Sequence, residues 1–287
     1  MNRLGMLDQF FRLRVGSGGG RRRCRSALAL LVAGWLVACA DAGPEYVERP
    51  VEDLYNRAMD LLLDGDYKPA AQAFDEVERQ HPYSVWATKA QIMAAYAQYQ
   101  ANAYDEAVLA AKRFIDLHPG HRDVAYAYYL VAISYYEQIS DVGRDQKMTE
   151  LALDGLEKII RRFPNTEYAR DAKLKLDLTR DHLAGKEMEV GRFYLKRGEY
   201  IAAINRFRTV VEKYQTTTHV PEALHRLTEA YLALGVTKEA QTAAAVLGYN
   251  YPGSEWYMDS YALLTGADLR PEANKQSWIA RAWNWVF

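Results

Sequence analysis

Histidine and cysteine have the greatest capacity for metal or nucleophilic chemistry, and this chain has few of either. Only His118 and His121 lie close together, in the segment His-Pro-Gly-His. The intervening Pro-Gly favours a turn, so we predict a loop there and no metal site. The other histidines are scattered (His81, His182, His219, His225). No nucleophile-elbow, zinc-protease, P-loop or dinucleotide-binding motif occurs, so the sequence predicts no catalytic residue, no cofactor and no enzyme.

Cys39 is the residue whose surroundings do indicate chemistry. Four clustered arginines (Arg21, Arg22, Arg23, Arg25) precede the apolar run SALALLVAGWLVA. That run is shorter than the roughly 20 residues of a transmembrane helix and is typical of a secretory signal peptide. It closes on Leu36-Val37-Ala38-Cys39, which resembles the bacterial lipobox, where cleavage precedes the cysteine and its thiol carries lipid. We therefore predict a signal peptide over residues 1–38, starting at Met1 or Met6, and a lipid anchor at Cys39.

The alternative for this segment is an ordinary signal peptide, or a buried helix, that ends by chance at a cysteine. Ala40 follows Cys39, in the position where enterobacterial sorting rules place Asp to retain a lipoprotein in the inner membrane. By resemblance to those rules, we expect the periplasmic face of the outer membrane. Residues 39–50 contain Gly43, Pro44 and Pro50, which predict a short, structureless tether.

Charge is distributed unevenly along the 287 residues. Residues 1–38 hold seven arginines and one acidic residue, which leaves 29 basic and 36 acidic residues and a net charge of −7 in the remainder. Nucleic-acid binding needs clustered Lys and Arg, so we expect no nucleic-acid partner. The only cysteines are Cys24 and Cys39, so the body can form no internal disulfide.

Beyond residue 50 the apolar residues recur at helical spacing, and one pattern repeats five times. A small residue comes first, larger residues follow mostly four and seven places later, and four of the five units then have a proline twelve places on. The small residues are Ala70, Ala107, Ala152, Ala203 and Ala240, and the prolines are Pro82, Pro119, Pro164 and Pro252. The pattern resembles the second helix of the tetratricopeptide repeat, since a small residue lets paired helices approach closely and a proline ends the unit.

The fold predicted is all-α, with five helical hairpins stacked as a curved solenoid over residues 51–265. The units are about 51–82, 83–119, 120–164, 165–219 and 220–252, followed by a closing helix to 265. Spacings of 37, 45, 51 and 37 residues between the alanines leave 8 extra residues in unit three and 14 in unit four. We expect the 8 to enlarge a loop around Ile139–Lys147 and the 14 to lengthen the first helix of unit four, from about 166 to 197.

Several segments make the resemblance more specific than a generic repeat. They are RFIDLHPGH (113–121), RDQ (144–146), FPNTEYARDA (163–172), EMEVGRFYLKRGEY (187–200) and Asn205-Arg206. With the lipobox and five repeats, they resemble the BamD (ComL) family over residues 36–252. The resemblance implies a lipoprotein of the outer-membrane β-barrel assembly machinery, which binds the barrel-forming subunit BamA, the other lipoproteins of the machinery and unfolded outer-membrane proteins. It also implies that Arg206, with Asn205, contacts BamA.

Tyrosines cluster on the predicted first helices, which line the concave face in repeats of this kind. We predict that Tyr96, Tyr99 and Tyr129 line a groove for unfolded substrate; the alternative is that they only pack between repeats. For Arg206 the alternative is an ion pair with an acidic residue on a neighbouring helix. For the whole chain the alternatives are another lipid-anchored adaptor, such as a secretin pilotin or a cell-wall-associated factor, and an envelope enzyme on a helical scaffold.

Residues 266–287 are predicted to be a linker and an amphipathic tail. An apolar stripe (Trp278, Ile279, Ala282, Trp283, Val286) indicates a short helix that lies against an apolar surface. Because Pro271 and its polar neighbours resemble a linker, we expect a membrane or a partner, ahead of the last repeat, to supply that surface.

Overall fold

Helix-forming periodicity beyond residue 50 produces a chain of helices in the computed structural model, which describes residues 48–274 and 276–283. These ranges contain twelve α-helices and no strand. The helices are α1 (Val51–Leu63), α2 (Tyr67–Gln80), α3 (Val85–Gln100), α4 (Tyr104–Leu117), α5 (Val124–Tyr136), α6 (Lys147–Arg162), α7 (Glu167–Lys196), α8 (Tyr200–Lys213), α9 (Val220–Ala233), α10 (Thr237–Asn250), α11 (Glu255–Gly266) and α12 (Trp278–Trp283). The first ten pair into five successive hairpins, so the predicted fold class is confirmed.

The repeated positions of the sequence form the centre of every hairpin. The five alanines, the residues four places later and the residues seven places later are all fully buried. The later positions are Phe74, Ala111, Leu156, Phe207 and Ala244, then Val77, Phe114, Ile159, Val210 and Leu247. One face of each second helix therefore packs at close range, as the small residue at its start requires.

The turn inside a hairpin needs a backbone conformation that few residues adopt. Gly65, Gly198 and Gly235 have φ of 83°, 74° and 75°, and each stands five places before a repeat alanine. In unit two that place is held by Asn102, with φ of 56°. Asparagine tolerates this left-handed region better than most residues, so the same turn forms without a glycine.

The two stretches that exceed the repeat length contact each other. The extra residues of unit four lengthen α7 to 30 residues, and those of unit three form the loop between α5 and α6. His182 Nε2 on α7 donates to the Ser140 carbonyl oxygen at 2.7 Å, and Lys186 Nζ donates to the Gly143 carbonyl oxygen at 3.2 Å. A Cβ at Gly185 would lie 3.2 Å from His219 Nε2 and 3.5 Å from Val142 Cγ1, so this glycine is a point where both the loop and the segment before α9 come close to α7.

The first helix of one hairpin touches the first helix of the next along much of the stack. Contacts join α1 with α3, α3 with α5 and α5 with α7, whereas no comparable contact joins neighbouring second helices among the described residues. Helices that converge on one side and diverge on the other give a stack that curves, with the first helices on its inner face.

The tail packs on the protein's own last repeats, so the expectation of a membrane or partner surface is wrong for the residues described. Helix α12 contacts α8 and α10, with Ile279 fully buried and Trp283 nearly so. Trp278 Nε1 donates to Tyr231 Oη at 2.9 Å, and the Arg208 guanidinium lies 4.6 Å from the Trp278 ring centroid. The preceding segment also binds α10, because Gln241 Nε2 donates to the Arg270 carbonyl oxygen at 2.8 Å. Side chains of α10 thus hold this segment through its backbone atoms.

Candidate functional site

Five tyrosines from three successive first helices meet on the inner face. Tyr96 and Tyr99 come from α3, Tyr126 and Tyr129 from α5, and Tyr168 from the start of α7. The Tyr168 ring centroid lies 5.3 Å from those of both Tyr126 and Tyr129, in tilted arrangements. All five residues are half-buried. We call these five residues the tyrosine cluster.

Acidic side chains accept hydrogen bonds from the cluster's hydroxyl groups. Tyr129 Oη donates to Asp171 Oδ2 at 2.5 Å, and Tyr99 Oη donates to Glu137 Oε1 at 3.3 Å. Burial, with smaller contributions from Glu137, raises the pKa of Tyr99 to about 12. Burial also raises the pKa of Tyr129, with a contribution from its bond to Asp171. The hydroxyl groups of Tyr99 and Tyr129 therefore stay protonated at neutral pH and can act as donors.

Asp171 is the carboxylate most closely tied to this cluster. Burial by itself would raise the pKa of its carboxyl group, but hydrogen bonds from Tyr129 and Lys175 outweigh that effect and lower the pKa. Lys175 Nζ lies 2.9 Å from Asp171 Oδ2. The cluster thus combines aromatic surface with fixed carboxylates, which suits an extended peptide that presents apolar side chains and backbone N–H groups.

The structure brings Tyr96, Tyr99 and Tyr129 to one face, and adds members that the sequence prediction left out. Tyr126 and Tyr129 have the same i, i+3 spacing as Tyr96 and Tyr99. Helical spacing could therefore have added Tyr126 to the predicted face. Tyr168 carried no such signal, because it lies one residue inside α7 and meets α5 only through the packing of two hairpins. Asp171 and Glu137 likewise become neighbours of the tyrosines only in the folded chain.

Arg206 and Asn205 lie together on the exposed surface of α8, the helix that pairs with α7 in the fourth hairpin. Arg206 Nη1 lies 3.2 Å from Glu187 Oε2 on α7. The Arg206 side chain nevertheless keeps 44% of its accessible surface. Its guanidinium is therefore held in position but still reachable by another carboxylate.

A shallow apolar depression of about 490 Å³ adjoins Asn205. Ile201 and Leu234 line it and are 69% and 41% exposed, which is high for large aliphatic side chains. Exposed apolar surface beside a polar, charged rim is typical of a protein-binding surface. The sequence prediction included Asn205 and Arg206 but did not include this depression.

The remaining predictions concern the anchor, membrane-spanning helices and metal sites. Cys39, the signal peptide and residues 284–287 lie outside the described residues. Within the described ranges, no helix combines the length and apolar character needed to cross a bilayer. In the same part of the chain, no three His, Cys, Asp or Glu side chains are grouped closely enough to hold a metal ion.

Comparison with known proteins gives a consistent family match. The profile of the family described as "YfiO: Outer membrane lipoprotein" matches residues 47–247. A protein of Caulobacter vibrioides named "Outer membrane protein assembly factor BamD" is 53% identical over 247 residues, covering 85% of this chain and 81% of that protein. The protein of that name from Rickettsia prowazekii is 48% identical, covering 82% and 95%, and one from Neisseria meningitidis serogroup A is 36% identical, covering 71% and 80%.

Proposed function

The chain belongs to the YfiO family of outer membrane lipoproteins, and on that premise we propose that it is an outer membrane protein assembly factor. In this proposal it is a lipid-anchored periplasmic scaffold of the β-barrel assembly machinery. It binds the barrel-forming subunit BamA, other lipoproteins of the machinery and unfolded outer-membrane proteins. The name shared by its relatives supports this role over that of a secretin pilotin or a cell-wall-associated factor.

The tyrosine cluster is the observation that carries the substrate half of the proposal. Strands of outer-membrane barrels alternate apolar and polar residues and carry aromatic girdles. An unfolded strand therefore offers aromatic side chains to the tyrosine rings and unpaired backbone N–H groups to Glu137 and Asp171. Tyrosine adds contact area at a small loss of side-chain entropy, because its ring is rigid.

Arg206, Asn205 and the adjoining depression form the surface that we assign to BamA. Arginine can pair with a carboxylate through two parallel hydrogen bonds, which gives such a contact both energy and orientation. A partner with an acidic side chain next to an apolar one would engage Arg206 and fill the depression between Ile201 and Leu234 at once. The two proposed surfaces share the fourth hairpin but lie apart on it. Tyr168 is at the start of α7, whereas Arg206 faces Glu187, 19 residues or about 28 Å further along that helix. The chain could therefore hold substrate and BamA together.

Crosslinking tests the substrate half. A peptide with the sequence of a barrel's C-terminal strand, carrying a photoreactive phenylalanine, is expected to label α3, α5 and the start of α7. Tyr168→Ala should reduce labelling several-fold, because the ring that joins Tyr126 and Tyr129 is lost. Tyr249→Ala is the matched control, since Tyr249 is 85% exposed on α10. Equal labelling of both variants, or labelling confined to units four and five, would contradict the proposal.

A further inference from the structure

Three of the loops between hairpins share one backbone pattern, so each serves as an internal control for the others. Each has a residue that ends the preceding helix, a proline, an exposed turn residue, a serine or threonine, and the first residue of the next helix. The serine or threonine N–H donates to the carbonyl oxygen three residues earlier, with N···O distances of 3.1, 3.1 and 3.0 Å in loops 81–85, 163–167 and 251–255. The three loops therefore share one backbone conformation, and they differ only in their side chains.

Loop 81–85 differs from the other two loops in its side chains at two positions. The turn residue is Asn165 or Gly253 in the other loops, but it is Tyr83 here. The first helical residue of the other two is glutamate, which stabilises a helix start through the helix dipole, whereas here it is Val85. Tyr83 is 101% exposed and Val85 is 75% exposed. Neither side chain contributes burial to the fold, so their apolar character points to a contact outside it.

The chain that leads to Cys39 emerges beside this loop. Arg49 N–H donates to Gln80 Oε1 at 3.0 Å, and His81 Nε2 donates to the Arg49 carbonyl oxygen at 2.7 Å. His81 is the first residue of loop 81–85. Only residues 40–48 separate Arg49 from Cys39, which limits the reach between them to about 35 Å even when fully extended. A lipid on Cys39 therefore keeps the loop within that distance of the bilayer.

We propose that Tyr83 and Val85 form a second contact with the bilayer, at the level of the phospholipid headgroups. This inference rests on the lipid anchor in the proposed function. Tyrosine is favoured at membrane interfaces because its ring is apolar and its hydroxyl can stay in water. Lys89, exposed one turn beyond Val85 with its Nζ 4.8 Å from the Trp86 ring centroid, supplies a cation for lipid phosphate.

The contact is weak by itself and effective only because the anchor is covalent. One aromatic and one aliphatic side chain would not hold a protein on a membrane, but the anchor makes their insertion an intramolecular step. Two attachment points instead of one restrict the directions in which the repeat array can extend from the bilayer. The inner face and the Arg206 surface would then be presented to their partners in a limited range of orientations.

The test uses full-length lipidated protein in vesicles of phosphatidylethanolamine and phosphatidylglycerol with brominated acyl chains. In the variant Tyr83→Cys, the new cysteine is labelled with an environment-sensitive fluorophore. In the variant Asn165→Cys, the same label stands at the equivalent turn position of loop 163–167. The acylated Cys39 cannot react with the label. We expect a blue shift and at least twofold more quenching at position 83 than at position 165.

The outcomes separate this inference from the proposed function. Attachment to vesicles with equal quenching at both positions would overturn the membrane contact and leave the lipid anchor standing. Failure to attach at all would overturn both. The third outcome is a blue shift at position 83 that occurs only when other envelope proteins are added. That result would overturn the lipid contact in favour of a protein partner.

Discussion

Arg206 on α8 and Glu187 on α7 form an ion pair across one hairpin, with 3.2 Å between Nη1 and Oε2. The sequence left two roles open for this arginine, a contact with a partner or a bridge within the chain. An exposed pair of this kind contributes only about 0–1 kcal/mol to folding. A partner's carboxylate could therefore replace Glu187 at little cost, and the bridge would hold the guanidinium ready in the unbound protein.

Replacing this arginine is expected to affect binding more than folding. Arg206→Ala should weaken co-purification of BamA from solubilised envelope, because a carboxylate desolvated at the interface would lose its partner. The melting temperature should fall by no more than about 4 °C. Arg113→Ala is the control, since Arg113 also pairs with a glutamate, Glu78, and is 60% exposed. Equal loss of BamA from both variants, or a much larger fall in melting temperature for Arg206→Ala, would favour a structural role.

The bond between Tyr129 and Asp171 predicts a dependence on acid pH. Because folding lowers the pKa of Asp171, the stabilisation from this carboxylate is present above the ordinary value of 3.8 and is lost as the pH falls through the folded-state value. Tyr129→Phe removes one donor, so the pKa of Asp171 should rise toward 3.8. Carbon NMR titration of the carboxyl group measures this shift. Tyr135→Phe, which removes a hydroxyl bonded to Lys112 on another surface, should leave it unchanged.

Close packing between α7 and α8 predicts a strong effect at Gly191. A Cβ at this position would lie 2.4 Å from Cε1 of Phe207, whose side chain is fully buried. Gly191→Ala should therefore destabilise the protein by about 1–3 kcal/mol and lower its melting temperature by about 3–10 °C. Gly266→Ala places the same methyl group in a helix with nothing within 4 Å. A thermal melt in which both variants behave alike would show that this contact can relax.

The packed tail makes a prediction about proteolysis. Ile279→Ala removes a fully buried side chain from α12, so the tail should detach more often and a glutamate-specific protease should cut faster after Glu272. Arg281→Ala alters an exposed position on the same helix and should leave the rate of cleavage after Glu272 unchanged. Mass spectrometry of timed digests gives both rates. Rapid cleavage after Glu272 in the unmodified protein would show that the tail is not held in place.

Loss of the lipid-bearing cysteine tests the anchor. Cys39→Ala should release the protein from membranes after a high-salt wash and leave the circular-dichroism melt of the repeats unchanged. The reason is that the acyl chains would supply most of the binding energy, whereas the contact proposed for Tyr83 and Val85 is too weak to hold the protein on a membrane without them. The control is Cys24→Ala, a substitution in the predicted signal peptide, and this variant should remain attached to membranes. Retention of Cys39→Ala in the membrane fraction would contradict the prediction of a lipid anchor.

Within the hairpins, the sequence by itself determined which residues are buried. Ala203, Phe207 and Val210 illustrate this, since their spacing places them on one helix face and all three are fully buried. Their neighbours belong to the same hairpin or the next one, so helical periodicity and side-chain size largely settle the packing. The five-hairpin fold follows from that local pattern.

The tertiary structure decided which surfaces meet across hairpins and where the tail lies. Tyr168 joins Tyr126 and Tyr129 only because α7 packs against α5 at a particular register, and nothing in the local sequence sets that register. The segment around Pro271 has the composition of a free linker. The side chains of Gln241 and Thr242 nevertheless bind the backbone atoms of this segment, which any residue type provides. Helical spacing determines the face on which a side chain lies, but long-range packing determines what that face contacts.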